Sequence, residues 1–247
     1  MSHKLHLEKN IRTFNEREVT TEFEWQHARI EKICSILWAI PNKTSGADIG
    51  CLGGMATSRY AATGIKTMHG YDISPTSLGQ LQSQGFEGFY WNVDGEKCPA
   101  PDHTYDIIIA GEIIEHLVDT DSFAGELHRI LKPEGHLIVS TPNLTSWYNR
   151  LRLLRGHVPV SYPGTSSTIR KDLFIDNNHI RLNALSEWIY FFERHGFEVR
   201  AVYGTSHLQV MQGGWRTRLF KFIDRLSWKY PALAVNIILV MCKGPNN

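Results

Sequence analysis

Four groups of residues in this chain have types and spacings that could do chemistry. The first is Ala47-Asp48-Ile49-Gly50-Cys51-Leu52-Gly53-Gly54, an apolar run ending in an acid and then a glycine-rich turn. Met55 to Ala62 follow with helical composition. In a strand–turn–helix entry, glycines let the backbone bend tightly, and amides left free at the helix start form a polar cradle for a nucleotide-type ligand. Glycine after a strand also serves as plain turn chemistry, so Gly50, Gly53 and Gly54 do not choose by themselves. The second is Asp72, about twenty residues beyond the turn, where an acid can accept both hydroxyls of a ribose in a contact worth roughly 1.5–3 kcal/mol. The plainer reading is a strand-end or helix-capping aspartate.

The third group is Glu112, Glu115 and His116, with His179 far along the chain. On a helix the first three would lie at i, i+3 and i+4, on one face. Two carboxylates and an imidazole could then hold a divalent metal, with His179 as fourth ligand. Without a metal, His116 is the first candidate for a general base and His179 the second, because imidazole titrates near working pH. A surface or hydrogen-bonded histidine is the plainer reading for each. The fourth is Arg150, Arg152 and Arg155 among aromatics, suited to an anion or simply to a solvated helix face.

The elements that must position these groups alternate. A helix is expected from Thr21, where Thr21-x-x-Glu24 fits a capping box and Phe23, Ile30, Ile33, Leu37 and Ile40 recur at helical spacing; Pro41 ends it. Strands are expected over 67–73, 87–93, 105–110, 136–141, 197–203 and 236–242. Helices are expected from Ser74-Pro75, over 122–131, where Pro133 and Gly135 stop it, over 183–195 and over 215–228. The run Tyr105-Asp106-Ile107-Ile108-Ile109-Ala110 is apolar enough to be buried on both faces of a parallel sheet. This predicts a doubly wound, Rossmann-like α/β fold, seven-stranded and mostly parallel, with helices on both faces. Ligands then bind beyond the carboxyl ends of the strands, where strand order reverses. Residues 144–178 break the rhythm and read as a lid or substrate insertion.

Bulk properties narrow the class. The 247 residues carry 26 Lys and Arg against 25 Asp and Glu, so nothing pulls the whole chain toward nucleic acid or an anionic membrane. A local basic stripe remains compatible with that balance. Cys34, Cys51, Cys98 and Cys242 are scattered without a C-x-x-C pair, which fits reduced thiols in a cytoplasmic protein. The N-terminus lacks the apolar core of a signal peptide, and the run from Ala234 to Cys242 is too short to span a bilayer.

Further motifs give the pattern a family likeness. Asp94-Gly95-Glu96, the strand from Tyr105, and Gly111-Glu112-Ile113-Ile114-Glu115-His116-Leu117 follow one another in order. Leu131-Lys132-Pro133-Glu134-Gly135-His136-Leu137, Ser140-Thr141-Pro142-Asn143, His179-Ile180-Arg181 and Gly196-Phe197-Glu198-Val199 complete the set. Over about residues 45 to 203 the chain resembles the class I S-adenosylmethionine-dependent methyltransferases, in their common bacterial small-molecule subgroup. The resemblance implies one methyltransferase domain over 1–247, made of a helical extension (1–44), a cofactor-binding half (45–143), the insertion (144–178) and a closing half (179–247). It implies that Asp48 and the Gly50–Gly54 turn shape the site of the methionine portion, that Asp72 holds the ribose, and that Asp94 with Gly95 meets the adenine. Ala110 to Glu112 would lie along the cofactor. The family usually has glycine where Leu52 stands.

The expected function is methyl transfer from S-adenosylmethionine to an oxygen or nitrogen of a small-molecule acceptor, without nucleic acid, membrane or metal; a homo-oligomer is left open. Two alternatives stand beside it. Glu112, Glu115, His116 and His179 resemble the metal site of small-RNA 2′-O-methyltransferases, which would make the chain a metal-dependent RNA enzyme. A nicotinamide-dependent oxidoreductase would use a similar sheet, against the lack of a full G-x-G-x-x-G.

Overall fold

An apolar strand with no polar face can be stable only when both faces are covered, and Tyr105–Gly111 meets that condition. Ile107 and Ile109 enter one hydrophobic cluster and Ile108 and Ala110 the other. In a computed structural model, which describes residues 19–160, 179–206 and 213–244, this is the fourth strand of a seven-stranded sheet. In chain order the strands are β1 (Ser45–Ile49), β2 (Thr67–Asp72), β3 (Glu87–Tyr90), β4 (Tyr105–Gly111), β5 (Leu131–Pro142), β6 (Phe197–Thr205) and β7 (Asn236–Lys243). Their spatial order is β3-β2-β1-β4-β5-β7-β6. The first five are parallel, and β7 inserts antiparallel between β5 and β6. The expected doubly wound sheet is the observed one, and the order reverses between β1 and β4.

The helices are α1 (Val19–Ala39), α2 (Met55–Ala61), α3 (Pro75–Ser83), α4 (Thr120–Ile130), α5 (Trp147–Leu154), α6 (Leu185–Arg194) and α7 (Trp215–Ser227). Ile30, Ile33, Leu37 and Ile40 of α1 and the segment after it, with Tyr60 of α2, cover one face. Phe123, Leu127 and Ile130 of α4, with Trp188 and Phe192 of α6, cover the other. Burying a large apolar side chain contributes about 1.5–3 kcal/mol, so these two layers supply most of the drive to fold.

Several expected boundaries move. Helix α1 begins at Val19, which places Thr21 inside the helix and removes it as a cap. Strand β3 ends at Tyr90 rather than Val93, because Trp91 turns into the core with its indole donating to the Glu96 carbonyl. Pro133 and Gly135 lie inside a longer β5, which starts directly after α4 and shifts register against β4 between Tyr105 and Ile107. Within the expected insertion a helix forms, α5, started by Ser146 Oγ accepting from the Asn149 amide at 3.3 Å. Two turns are too few for a readable period, and Trp147 and Tyr148 pack on Phe220 of α7 instead of the sheet. Residues 161–178 of the expected insertion lie outside the described residues.

Candidate active site

Asp48, Asp72 and Glu112 stand at or just past the carboxyl ends of β1, β2 and β4, on both sides of the switch in strand order. The glycine turn joins β1 to α2 through Leu52, Gly53 and Gly54, all left-handed at φ 38°, 72° and 85°. Glycine adopts this freely, whereas Leu52 holds it at a cost of about 1–2 kcal/mol.

The turn is not a cradle of free amides. Gly50 and Cys51 donate to the Tyr71 carbonyl at 2.8 and 3.1 Å, Leu52 to Asp72 Oδ2 at 3.0 Å, Gly53 to Ser77 Oγ at 2.8 Å and Gly54 to the Cys51 carbonyl at 2.9 Å. Every amide from Gly50 to Gly54 is therefore taken inside the protein. The reason is the left-handed run, which curls the turn back over β2 and α3. A pyrophosphate, which binds through such amides, has nothing to bind here.

Asp72 is the post that the turn is tied to. Its Oδ2 accepts from Leu52, from Ser77 Oγ at 2.8 Å and from the Cys51 thiol at 3.9 Å, and its Oδ1 from the Ser74 amide at 2.9 Å. Oδ1 has two lone pairs and one donor, so it can still accept from a hydroxyl. The capping role is observed, and it leaves room on Oδ1. Asp94 is also committed in part: its Oδ1 accepts from the Val118 and Asp119 amides at 3.0 and 2.7 Å, holding the loop that enters α4. Gly95 follows in a left-handed turn with open space beside it. Ala110 is fully buried in the core layer, so it offers only backbone toward the edge.

The segment after β4 does not form the expected helical face. Glu112 is left-handed, φ 57°, and only Ile114–His116 makes a single 3-10 turn. Glu112 accepts from Ser140 Oγ and from Asn236 Nδ2, both at 2.9 Å, and so braces β4 against β5 and β7. Glu115, His116 and His179 do come together, with ligand atoms within 4.8 Å of one another, and Glu112 lies outside that set. The link is a backbone zipper in which the Ile180 and Arg181 amides donate to the Glu115 carbonyl at 2.9 and 3.1 Å. The two imidazole rings meet edge to face, 4.7 Å between centroids, and His179 Nε2 lies 3.9 Å from Glu115 Oε1. Glu115 is fully buried; Thr141 Oγ1 donates to its Oε2 at 3.2 Å, and Oε1 accepts no hydrogen bond among the described residues.

Sequence reasoning missed Arg29. It lies on the buried face of α1 beside Ile30 and Ile33, and its Nη1 is 3.5 Å from Ser140 Oγ. A Cβ on Gly111 would stand 1.9 Å from that nitrogen, so the guanidinium rests directly on the β4 backbone. Burial opposes its charge, while Tyr60, Glu112, Asp48 and Glu115 sustain it. A cation inside an otherwise apolar helical stripe was the available signal. Burial also pushes Asp48 up to about 6, against the Thr57 hydroxyl at 2.6 Å and Arg29, with Asp72 adding to the rise. Burial, with Glu112 beside it, pushes Glu115 well above the usual carboxylate range. Such acids gain from a bound cation and lose from a bound anion. A sulfonium with an ammonium tail fits this edge, and a pyrophosphate does not.

Residues 47–139 match the family model described as a methyltransferase domain. Over those residues the chain is similar to class I S-adenosylmethionine-dependent methyltransferases. The chain is 30% identical over 102 residues to the ubiquinone biosynthesis O-methyltransferase of Rhizobium leguminosarum bv. trifolii, covering 40% of each protein. The chain thus spans about two fifths of the length of the curated relatives it matches. A methyltransferase from Archaeoglobus fulgidus shares the fold at TM-score 0.58 and 15% identity, over 92% of this chain and 100% of that one. So does the cyclase SpnF, at TM-score 0.57 and 14% identity, over 88% and 81%. A cyclase on the same frame shows that the methyltransferase fold alone does not name the reaction.

Asp106, Arg150 and Arg152 have partners within the protein. Asp106 pins strand starts: against partial burial, Lys132 and the Ser45 and Thr44 donors hold it down to about 2. Arg150 and Arg152 donate to the Thr145 and Val158 carbonyls at 2.7 Å each, inside their own segment. The four cysteines are unpaired, and no helix among the described residues is long and apolar enough to cross a membrane.

Proposed function

We propose that the chain transfers a methyl group from S-adenosylmethionine to an oxygen or nitrogen of a small molecule. The observation that carries the reading is the sign of the site: buried acids at the strand ends, with every amide of the glycine turn already taken. The cofactor supplies an activated methyl on a sulfonium. Asp48 would face the methionine portion, the open acceptor site of Asp72 the ribose, and Asp94 with Gly95 the adenine. In-line placement is the main task left to the protein, and positioning can be worth about 7–11 kcal/mol. For a hydroxyl acceptor, His116 or His179 would take the proton, each beside Glu115. The O-methyltransferase relatives favour oxygen as the acceptor atom.

Equilibrium dialysis with labelled S-adenosylmethionine tests the reading, with NAD as competitor. The cofactor is expected to bind in the micromolar range, with Asp72→Asn weakening it at least tenfold and NAD failing to displace it. No binding at millimolar cofactor, or displacement by NAD, would overturn the assignment.

One observation supports a second reading, in which a divalent metal takes part. A buried carboxylate and two imidazoles converge, and a nitrogen-rich set of this kind suits Zn²⁺ or Mn²⁺ better than Mg²⁺. Titration calorimetry with Mn²⁺ should then show one site that Glu115→Gln abolishes. Absence of heat, with transfer activity intact after exhaustive chelation, removes the metal.

A further inference from the structure

Helix α7 is built inside out. The residues it turns toward the protein are Asp224 and Ser227, both buried, while Trp215, Leu219, Phe222, Ile223 and Leu226 are 71%, 52%, 60%, 41% and 44% exposed. At 3.6 residues per turn, positions 215, 219, 222 and 226 form one stripe along the helix, with 223 beside it. Arg218, Arg225 and Lys229 run along one flank of that stripe and Arg216 along the other, all exposed. The only acid of α7 is the buried Asp224, whose Oδ1 lies 3.4 Å from Trp147 Nε1. Phe220 completes the anchor, packing on Trp147 and Tyr148 at 4.9 and 5.1 Å. The helix is thus held by a polar and aromatic underside and offers its apolar face outward.

We propose that α7 lies on an anionic lipid surface, with the Trp215–Leu226 stripe in the acyl boundary and the flanking cations at the headgroups. The charge pattern selects this occupant. An interfacial helix has basic residues bordering an apolar stripe, where long side chains reach up to phosphates. A second copy of the chain fits poorly: a twofold pairing of these stripes would set each basic flank against like charge, with no surface acid on the helix to relieve it. The near-neutral net charge of the chain hides the patch, because the expectation of no membrane partner rested on whole-chain balance and spanning length. The placement is also consistent with use. Strands β5 and β6 end at Pro142 and Thr205 opposite the start of β7 at Asn236, so α5 and α7 sit in the connections at the edge that carries Glu112 and Glu115. The proposal concerns where the protein sits, and it stands whether or not methyl transfer is the reaction.

Flotation of the full chain tests it, with vesicles of phosphatidylcholine alone and of equal parts phosphatidylcholine and phosphatidylglycerol. Binding to the anionic vesicles is expected to exceed binding to the neutral ones by about tenfold or more and to weaken with salt. Leu219→Ser with Phe222→Ser should lower it by a further tenfold or so while the protein melts as the wild type does. Should that variant misfold, Arg218→Ser with Arg225→Ser, which alters only exposed flank residues, must abolish the preference for anionic lipid. Brominated lipid should quench tryptophan emission in the wild type and less so in Trp215→Phe. Failure to float with either vesicle, or flotation unchanged by both variants, overturns the proposal. So does a dimer in sedimentation that Leu219→Ser with Phe222→Ser disperses while vesicles leave the wild type unbound.

Discussion

Replacing Asp48 by asparagine should stabilise the protein at alkaline pH and leave it almost unchanged in acid. Asp48 is buried, accepts from Thr57 Oγ1 at 2.6 Å, and is faced by Arg29, Asp72, Tyr60 and the Cys51 thiol. Its carboxyl rises from 3.8 to about 6. For a raised acid the folded state holds the proton more tightly than the unfolded chain. The penalty is therefore absent at low pH, grows as pH rises through the interval between the two values, and is complete above it. About two pH units at about 1.4 kcal/mol each make ionised Asp48 cost roughly 3 kcal/mol. Asparagine keeps an oxygen for Thr57 and carries no charge. The attraction of Arg29 is already contained in the shift, so losing it does not enter again. Urea unfolding followed by tryptophan fluorescence should find the variant roughly 2–3 kcal/mol more stable near pH 8 and within about 0.5 kcal/mol near pH 4. Cofactor affinity should fall in the same variant, a gain in stability set against a loss at the site. An equal stability difference at both pH values would refute the argument, since only a strained ionisation makes it vary.

Arg29→Met should cost about 3–5 kcal/mol, because it leaves Asp48, Glu112 and Glu115 facing one another without their cation. Arg29 holds both Asp48 and Glu115 down, so without it their values climb and the deficit should grow as pH rises; urea unfolding near pH 5 and pH 8 checks the trend. Gly54→Ala puts a methyl at φ 85°, 2.7 Å from Leu81 Cδ1, and should destabilise by about 2–4 kcal/mol with a matching drop in cofactor binding. A melting temperature within a degree or so of the wild type would mean that the turn tolerates the strain.

What could be read from the sequence was what repeats or what is local. Strand β4 was legible because four apolar residues in a row, Ile107 to Ala110, admit few alternatives, and α3 because Ser74-Pro75 marks both cap and first turn. The convergence of Glu115, His116 and His179 was legible as a set but for the wrong reason: the i, i+3, i+4 argument needs a helix, and Glu112 breaks it at φ 57°. Two backbone bonds from Ile180 and Arg181, some sixty residues away, do the work that helical spacing was expected to do. Short elements such as α5 and side chains that reach across layers, as Arg29 does, leave no periodic trace. The inverted face of α7 was visible only as a basic aromatic helix, since nothing local says which side meets the protein.

The acids at the strand ends differ in which donors reach each of their oxygens. Both oxygens of Glu112 are occupied, by Ser140 and Asn236, and its left-handed backbone is held there by that brace. Asp72 takes three donors on Oδ2 and one on Oδ1, and Glu115 has one hydroxyl on Oε2 with Oε1 buried and without a hydrogen bond among the described residues. Partial filling also fixes direction. The donors already present set the rotamers of Asp72 and Glu115, so their ordering cost falls on folding and not on binding. Ser140-Thr141-Pro142-Asn143 at the end of β5 serves this purpose residue by residue. Ser140 orients Glu112, Thr141 orients Glu115, and the buried Asn143 amide donates to the Ala232 and Ala234 carbonyls at 3.0 and 2.9 Å. The same stretch therefore orients the two acids that follow β4 and moors the segment that connects α7 to β7, joining that edge of the sheet to the helix that faces outward.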